Sequence, residues 1–410
     1  MPSIDEQVAL LMQGTEYGDP KTKEMMAREL RERLIEAEKE GRPLRVYCGY
    51  DPRTTDLHLG HTITMRKLRQ FQDLGHDVTF LIGTFTSLIG DPSDKDSARE
   101  QLTAETVRKN AQTYAEQAFK ILDREKTRVR YNDEWLADLN FADIIKLASN
   151  FTVQQFLARD NFRKRLDAGE PIYLHEMFYA LMQAYDAVAQ ETDVQVGGQD
   201  QLFNIVVAGR KLQQALGQRP QVAIIMGESL PGTDGEVKMS KSLGNHIPIM
   251  APPEDMYGKV MSIPDKAMPV YYKLVLGWAP AQLEKLEKDL ASGALHPRDA
   301  KMQLAREIVT IFHDAEAAMR AEQDFVRKFR EHGVPDDVPT ETLAAPERVV
   351  DLLARLNMVP SKGEAKRLMK NGGVRIDGEQ VKDIAAEITP DMLPLVVQVG
   401  KRKFVRLEKA

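Results

Sequence analysis

The stretch 44-LRVYCGYDPRTTDLHLGHTITMRKLRQFQDLGHDVTFLIGTFTSLIGD-91 decides how the first half of this chain is read. Its opening, 44-LRVYCGY-50, is a short apolar run of strand type. Its close, 77-DVTFLIGTFTSLIGD-91, is apolar almost throughout, as strands buried on both faces are. Between them Ile63, Leu68, Phe71 and Leu74 recur at helical spacing from His61 onward, and Gly75 supplies a left-handed stop. Strand, glycine-bearing turn, helix and strand make a βαβ unit. His58 and His61 bracket Leu59-Gly60 at the helix start, where Ser, Thr, Asp or Asn are the usual caps.

Working outward, residues 5–40 read as one or two amphipathic helices, and 146–160 and 175–191 as further helices. The runs 193-DVQVGG-198 and 221-QVAIIMG-227 read as buried strands. This alternation predicts an α/β fold, a Rossmann-like parallel sheet covered on both faces, over residues 1–247 with its N-terminal helices. From about residue 250 the strand signal stops, and Leu283, Leu286, Leu290, Leu304, Ile308 and Phe312 mark an α-helical domain, placed at 248–335. A proline-bearing acidic stretch reads as a linker over 336–348. Residues 349–410 read as a small α+β domain: helices near 349–357 and 362–370, a hairpin in 371-NGGVRIDGEQV-381, and the segment 395–407.

Composition narrows the class. The chain has 410 residues, of which 42% are hydrophobic, enough for sizeable cores. No apolar run reaches membrane-helix length, and residues 1–40 are charged, unlike a signal peptide. The single cysteine, Cys48, excludes an internal disulfide framework and a Cys-rich metal site, and it fits a reducing cytoplasm. Net charge is −6, yet residues 348–410 carry 13 Lys+Arg against 8 Asp+Glu. A basic tail behind an acidic body suggests an anionic partner for the tail.

Two motifs carry chemistry. His58 and His61 sit beside free backbone N–H groups and the positive end of a helix dipole, a place suited to phosphate. Gly60 between them lets a phosphate or flat ring approach the backbone. A histidine pair lacking a third ligand nearby is an incomplete metal set, so no protein metal site is expected. The second motif, 235-GEVKMSKSLGN-245, places Lys238 and Lys241 in a glycine-flanked loop able to close on a triphosphate. Taken singly, these are also what helix-capping histidines and a charged surface loop look like.

Together, 58-HLGH-61 after an early strand and 238-KMSKS-242 after the last strand resemble the signature pair of class I aminoacyl-tRNA synthetases. The resemblance narrows to bacterial tyrosyl-tRNA synthetases through 47-YCGYDP-52, 88-LIGDPS-93, 179-YALMQAYD-186, 195-QVGGQDQLFN-204 and 296-HPRDAKMQLAREIV-309. The KMSKS spelling with DLHLGH is similar to the KMSKS-containing branch, of Thermus–Deinococcus type. That family implies tyrosine activation by ATP, followed by transfer of tyrosine to the 3′ end of tRNA(Tyr). Mg²⁺ would arrive on the nucleotide, and a homodimer would form through the catalytic domain.

The resemblance also implies residue roles. Tyr179 and Gln183, with Asp91, would hold the substrate ammonium; Asp186 and Tyr47 would meet the phenol hydroxyl; Gln201 would lie near the carboxylate. Independently, Tyr179, Gln183 and Asp186 at i, i+4 and i+7 share one helix stripe. Cys48, Gly49, Asp51, Gly198 and Asp200 match positions lining the ATP ribose and adenylate. His58, Gly60, His61, Lys238 and Lys241 match the triphosphate site, of which the two histidines and two lysines are catalytic. Arg53 stands where relatives commonly have Thr, so either Arg53 or Thr54 could touch phosphate. Asp94 in 90-GDPSD-94 departs from the family's GDPSG. The segment 360–383 resembles a small RNA-binding domain first recognised in a ribosomal protein, and Lys362, Lys366, Arg367, Lys370 and Arg375 would contact the tRNA backbone. Two other readings remain open here: a tryptophanyl synthetase, and a non-catalytic RNA-binding relative.

Overall fold

The computed structural model describes residues 2–93, 101–327, 338–400 and 403–409. Strand β1 (Arg45–Tyr50) pairs in parallel with β2 (Asp77–Ile82), with Val46 opposite Val78. On its other side β1 pairs with β4 (Val194–Gly198), with Val46 opposite Val194. With β3 (Thr127–Tyr131) and β5 (Val222–Met226) the sheet runs β3-β2-β1-β4-β5, all parallel. Strand order reverses between β1 and β4, and a crevice opens past the carboxyl ends of the strands at that point. The strands owe their burial to apolar runs: Val78, Phe80 and Ile82 are fully buried, as are Val222 to Ile225.

The apolar run 77–91 is not one strand, as its hydrophobicity suggests. It ends at Ile82, and Thr86–Ile89 is a helical turn: Thr84 N–H turns back to the Ile82 carbonyl (2.9 Å) and Ser87 N–H to the Gly83 carbonyl (3.0 Å), which takes the chain off the extended path. Asp94 lies outside the described residues. A 3-10 turn, Leu59–His61, leads into the helix Thr62–Asp73, which the chain leaves through Gly75 at φ +84°. The expected helix 146–160 is two pieces, Phe141–Ala148 and Val153–Leu157, because Thr152 and Gln155 form a capping box that starts a new helix. Strand β3 was not expected at all: alternating charges in 127-TRVRY-131 hide an edge strand.

Residues Met1–His313 form one compact unit and Asp314–Ala410 a second. The stretch expected as a separate helical domain, 248–335, is therefore divided between them; residues 328–335 are not described. Helices Pro253–Ser262 and Pro297–Phe312 share a buried face, and Lys301 donates to the Ile263 carbonyl (2.6 Å). The Tyr271 hydroxyl donates to the Pro231 carbonyl (2.8 Å), tying the helices to the loop after β5.

In the second unit, part of the expected linker 336–348 is structure. Residues Thr340–Leu343 form β6 and Glu347–Arg348 form β7. Leu343 is the one buried residue in these two strands, so no apolar alternation marks them in the sequence. The remaining strands are β8 (Val374–Ile376), β9 (Glu379–Gln380), β10 (Glu387–Ile388), β11 (Leu395–Val399) and β12 (Lys403–Lys409). The main sheet runs β6-β12-β11-β8-β9, with β10 and β7 a separate pair. Its core gathers Leu352, Leu353, Ala365, Met369, Val397 and Leu407. The β8–β9 hairpin turns through Asp377 (φ +47°) and Gly378 (φ +86°), the two positive-φ residues a tight hairpin needs.

Candidate active site

A cavity of about 730 Å³ lies at the carboxyl ends of β1 and β4. Every residue expected for tyrosine, ATP or catalysis lines it, although these residues come from positions as far apart as Tyr47 and Lys241. The helix Leu174–Ala189 supplies Tyr179, Gln183 and Asp186. Its first turn is fixed by buried Glu176, which accepts two bonds from Arg165 (2.7 and 2.9 Å) and one from the Tyr173 N–H (2.9 Å).

Asp186 lies at the closed end. Trp135 Nε1 donates to its Oδ1 (2.8 Å), and Asn132 Nδ2 to its Oδ2 (3.3 Å). Burial raises its pKa well above the ordinary carboxylate value, against which these two donors act. Tyr47 is buried nearby, and burial followed by the Asp186 charge raises its phenol pKa. Asn132 and Trp135 follow the strand that sequence reasoning missed. A polar Asn and an indole N–H directly after an edge strand were the available signal.

Asp51 is not turned freely toward the cavity. Tyr179 donates to its Oδ2 (3.1 Å) and Thr86 to its Oδ1 (2.7 Å), and burial lifts its pKa to about 6. It orients Tyr179, whatever else it touches. Asp91 Oδ1 accepts from the Ser93 N–H (2.8 Å), and Gln201 Nε2 bridges Asp91 and Asp200 Oδ2 (2.9 Å to the latter). Burial opposes ionisation of Asp200, but Lys238 and Gln201 together hold its pKa below the ordinary value. Burial keeps the Cys48 thiol protonated, with its pKa pushed up to about 11.

The histidines do cap the turn, and the capping sets their chemistry. Gly60 N–H donates to His58 Nδ1 (3.2 Å), and His58 N–H donates to His61 Nδ1 (3.1 Å). A ring nitrogen that accepts carries no proton, so each neutral imidazole holds its proton on Nε2. Burial lowers both pKa values, that of His61 to about 4. Both rings are therefore neutral Nε2–H donors at pH 7. Histidine ring NMR at pH 6 is expected to show two Nε2–H tautomers that do not titrate above pH 5. A charged-ring pattern at pH 6 would contradict this geometry. Because the folded pKa of His61 lies below the unfolded value, stability is full above pH about 6.5 and falls as pH drops toward 4.

Opposite the histidines, Lys238 pairs with Asp200 (3.3 Å) and Lys241 with Asp56 (3.0 Å). Asp56 is a residue that sequence reasoning passed over. The loop carrying the lysines is braced by Asn245, whose Oδ1 accepts from Ser240 N–H (2.8 Å) and whose Nδ2 donates to Asp234 (2.5 Å). Its base joins the histidine segment directly: Leu59 N–H donates to the Ile247 carbonyl (3.0 Å). Arg53 and Thr54 both line the cavity, and Arg53 donates to the Ser87 carbonyl (2.8 Å).

Two family descriptions match the chain: "tRNA synthetases class I (W and Y)" over residues 39–330, and "Tyrosine–tRNA ligase SYY-like C-terminal domain" over 331–407. The tyrosine–tRNA ligase of Moorella thermoacetica is 50% identical over 381 residues, covering 92% of this chain and 91% of that protein. The chain belongs to the class I tyrosyl-tRNA synthetases. The Geobacter sulfurreducens tyrosine–tRNA ligase is 46% identical, and the match covers 99% of both chains. In fold, this synthetase is similar to the Archaeoglobus fulgidus tyrosyl-tRNA synthetase complexed with L-tyrosine, with TM-score 0.61 and 24% identity. That match covers 78% of this synthetase and 100% of the other.

The remaining expected residues of the synthetase lie in its second unit. Lys362, Lys366, Arg367 and Lys370 are exposed on the helix Lys362–Lys370, and Arg375 is half-buried on β8. Lys362 pairs with Asp351 (2.8 Å), Arg367 with Glu364 (2.7 Å), and Arg375 donates to the Gly378 carbonyl (2.8 Å).

Proposed function

We propose that this tyrosine–tRNA ligase binds tyrosine with its phenol against Asp186 and Tyr47 and its α-carbon groups against Asp91, Tyr179, Gln183 and Gln201. ATP lies across Cys48, Gly49, Gly198 and Asp200. The tyrosine carboxylate attacks the α-phosphorus, and pyrophosphate leaves. No side chain acts as nucleophile; the protein positions the reactants and stabilises charge on the phosphates. His58 and His61 donate from Nε2, while Lys238 and Lys241 exchange their carboxylate partners for phosphate oxygens. Mg²⁺ travels with the ATP phosphates. A ribose hydroxyl of the tRNA 3′-terminal adenosine then attacks the adenylate carbonyl, forming the ester as the acyl–phosphate bond breaks and AMP leaves.

The observation that carries this reading is a single cavity lined by both phosphate motifs and the Tyr179–Asp186 stripe. Tyrosine-dependent ATP–pyrophosphate exchange tests it: the expected result is exchange with tyrosine and none with tryptophan. Absence of exchange in folded protein would instead favour a non-catalytic RNA-binding role.

The exposed basic helix supports tRNA contact by the second unit, and residues 248–335 are our candidate for anticodon recognition. Because β6 belongs to the C-terminal sheet, a cut that removes that sheet whole, together with the basic helix, falls before Thr340. A chain ending at residue 327 is expected to retain exchange and lose tRNA charging. Equal loss of both would make the unit structural.

Exposed apolar side chains concentrate in residues 141–174, with Phe141 76%, Ile145 57% and Leu174 69% exposed, which supports a homodimer through the catalytic unit. No described helix is long and apolar enough to cross a membrane. A reducing cytoplasm is the setting we assign, from the single buried thiol of Cys48.

A further inference from the structure

Asn204 is fully buried and does not line the cavity, yet it joins two residues that do. Its Nδ2 lies 2.9 Å from Gln183 Oε1, 3.1 Å from Gln201 Oε1 and 3.3 Å from Ser93 Oγ. The direction of every amide in this group follows from chemistry. Asp91 and Asp200 only accept when ionised, so the end of Gln201 between them must be its NH₂. Gln201 Oε1 then faces Asn204, which must answer with its own NH₂. The same NH₂ meets Gln183, whose facing atom must be Oε1. Amide polarity is thus passed from two carboxylates through Gln201 and Asn204 to Gln183.

The backbone is built for this placement. Asn204 lies in a π-helical segment, Phe203–Gly209, whose wider turn is uncommon and costs regular hydrogen bonding. Gln221 Nε2 donates to the Ile205 carbonyl within the segment (3.3 Å). A Cβ at Gly209 would lie 2.6 Å from that same Gln221 nitrogen, so any larger residue there would displace the Gln221 amide. On the outer side Phe203 packs edge-on against Phe156, with ring centres 5.7 Å apart, while Asn204 faces inward.

We propose that Asn204 is a positioning residue for the amino acid substrate: it fixes the acceptor of Gln183 toward the α-ammonium and holds Gln201, whose NH₂ lies on Asp91 and Asp200, beside the α-carboxylate. This rests on the substrate placement proposed above. One buried amide thereby aligns both polar ends of the amino acid, while Asn204 itself bonds Gln183, Gln201 and Ser93 and no residue placed against ATP.

The test is Asn204→Asp, which keeps the shape and turns the donor into an acceptor facing two glutamine oxygens. In the exchange assay KM for tyrosine is expected to rise about tenfold to a hundredfold, with KM for ATP within about twofold of wild type. A merely structural role would move both KM values and kcat together with the thermal midpoint. Asn204→Ala combined with Gln201→Ala gives a second measurement, which also carries the test if Asn204→Asp does not fold. Because Asn204 acts through Gln201 as well as Gln183, its removal costs less once Gln201 is gone; fold-effects that multiply in full would overturn the proposal. So would an unchanged tyrosine KM in folded Asn204→Asp. Wild-type protein without tyrosine-dependent exchange would overturn the ligase reading itself, which separates the two failures.

Discussion

Lys241→Ala is expected to slow adenylate formation on the order of a hundredfold while ATP binding changes little. Lys241 pairs with Asp56 at 3.0 Å, and both side chains are more than a third exposed. An exposed pair of this kind contributes roughly 0–1 kcal/mol, so its ammonium is readily transferred to a phosphate. In a closed site facing departing pyrophosphate, one such charge supplies about 3 kcal/mol, by analogy with a single oxyanion donor. Each 1.36 kcal/mol is a factor of about ten in rate. Because the interaction strengthens as charge moves onto the leaving group, the loss should fall on the chemical step. His58→Ala should behave alike, since the proposed role sets its Nε2–H on the same phosphates. Pre-steady-state adenylate formation across ATP concentrations measures both. A hundredfold loss of ATP affinity with an unchanged chemical step would make these groups ground-state anchors.

Asp186→Ala should have the second large effect, on selectivity. The carboxylate is buried, and it already accepts from Trp135 and Asn132. The phenol hydroxyl of tyrosine adds a further donor, whereas phenylalanine leaves that position empty. Sites built around a buried polar group reject the substrate lacking its partner strongly, and tyrosine against phenylalanine is a well-known illustration. Losing the buried partner of the phenol hydroxyl costs roughly 1–3 kcal/mol, so the tyrosine preference should fall about fivefold to a hundredfold. The readout is the ratio of kcat/KM for the two amino acids in the exchange assay. An unchanged ratio would remove Asp186 from the phenol site.

What the sequence announced and what it concealed differ in kind. The doubly wound sheet was legible because β1, β2, β4 and β5 are mostly buried and therefore largely apolar. The stripe of Tyr179, Gln183 and Asp186 was legible because polar residues at helical spacing interrupt an apolar face. Strand β3 hid because an edge strand faces water and carries charge, and Asn132 and Trp135 hid with it. Thr86–Ile89 passed for strand because a short apolar run has no period long enough to distinguish a turn of helix from extended chain. Asp56 and Asn204 gave no local signal. Their roles come from partners 185 and 21 residues away, contacts that folding alone creates.

Strand β12 lies inside its sheet, bonded on one side to β11 and on the other to β6. It is the sole neighbour of β6 in that sheet, so the first and last strands of this region stand or fall together. A protease that clipped only residues 403–409 would therefore do more than trim an end. It would strand β6, open the core at Leu407, and release the basic helix from the scaffold that holds it. For anyone placing an affinity tag or a fusion partner, the consequence is practical: a junction within this strand threatens the whole unit, whereas one beyond it leaves the ladder whole.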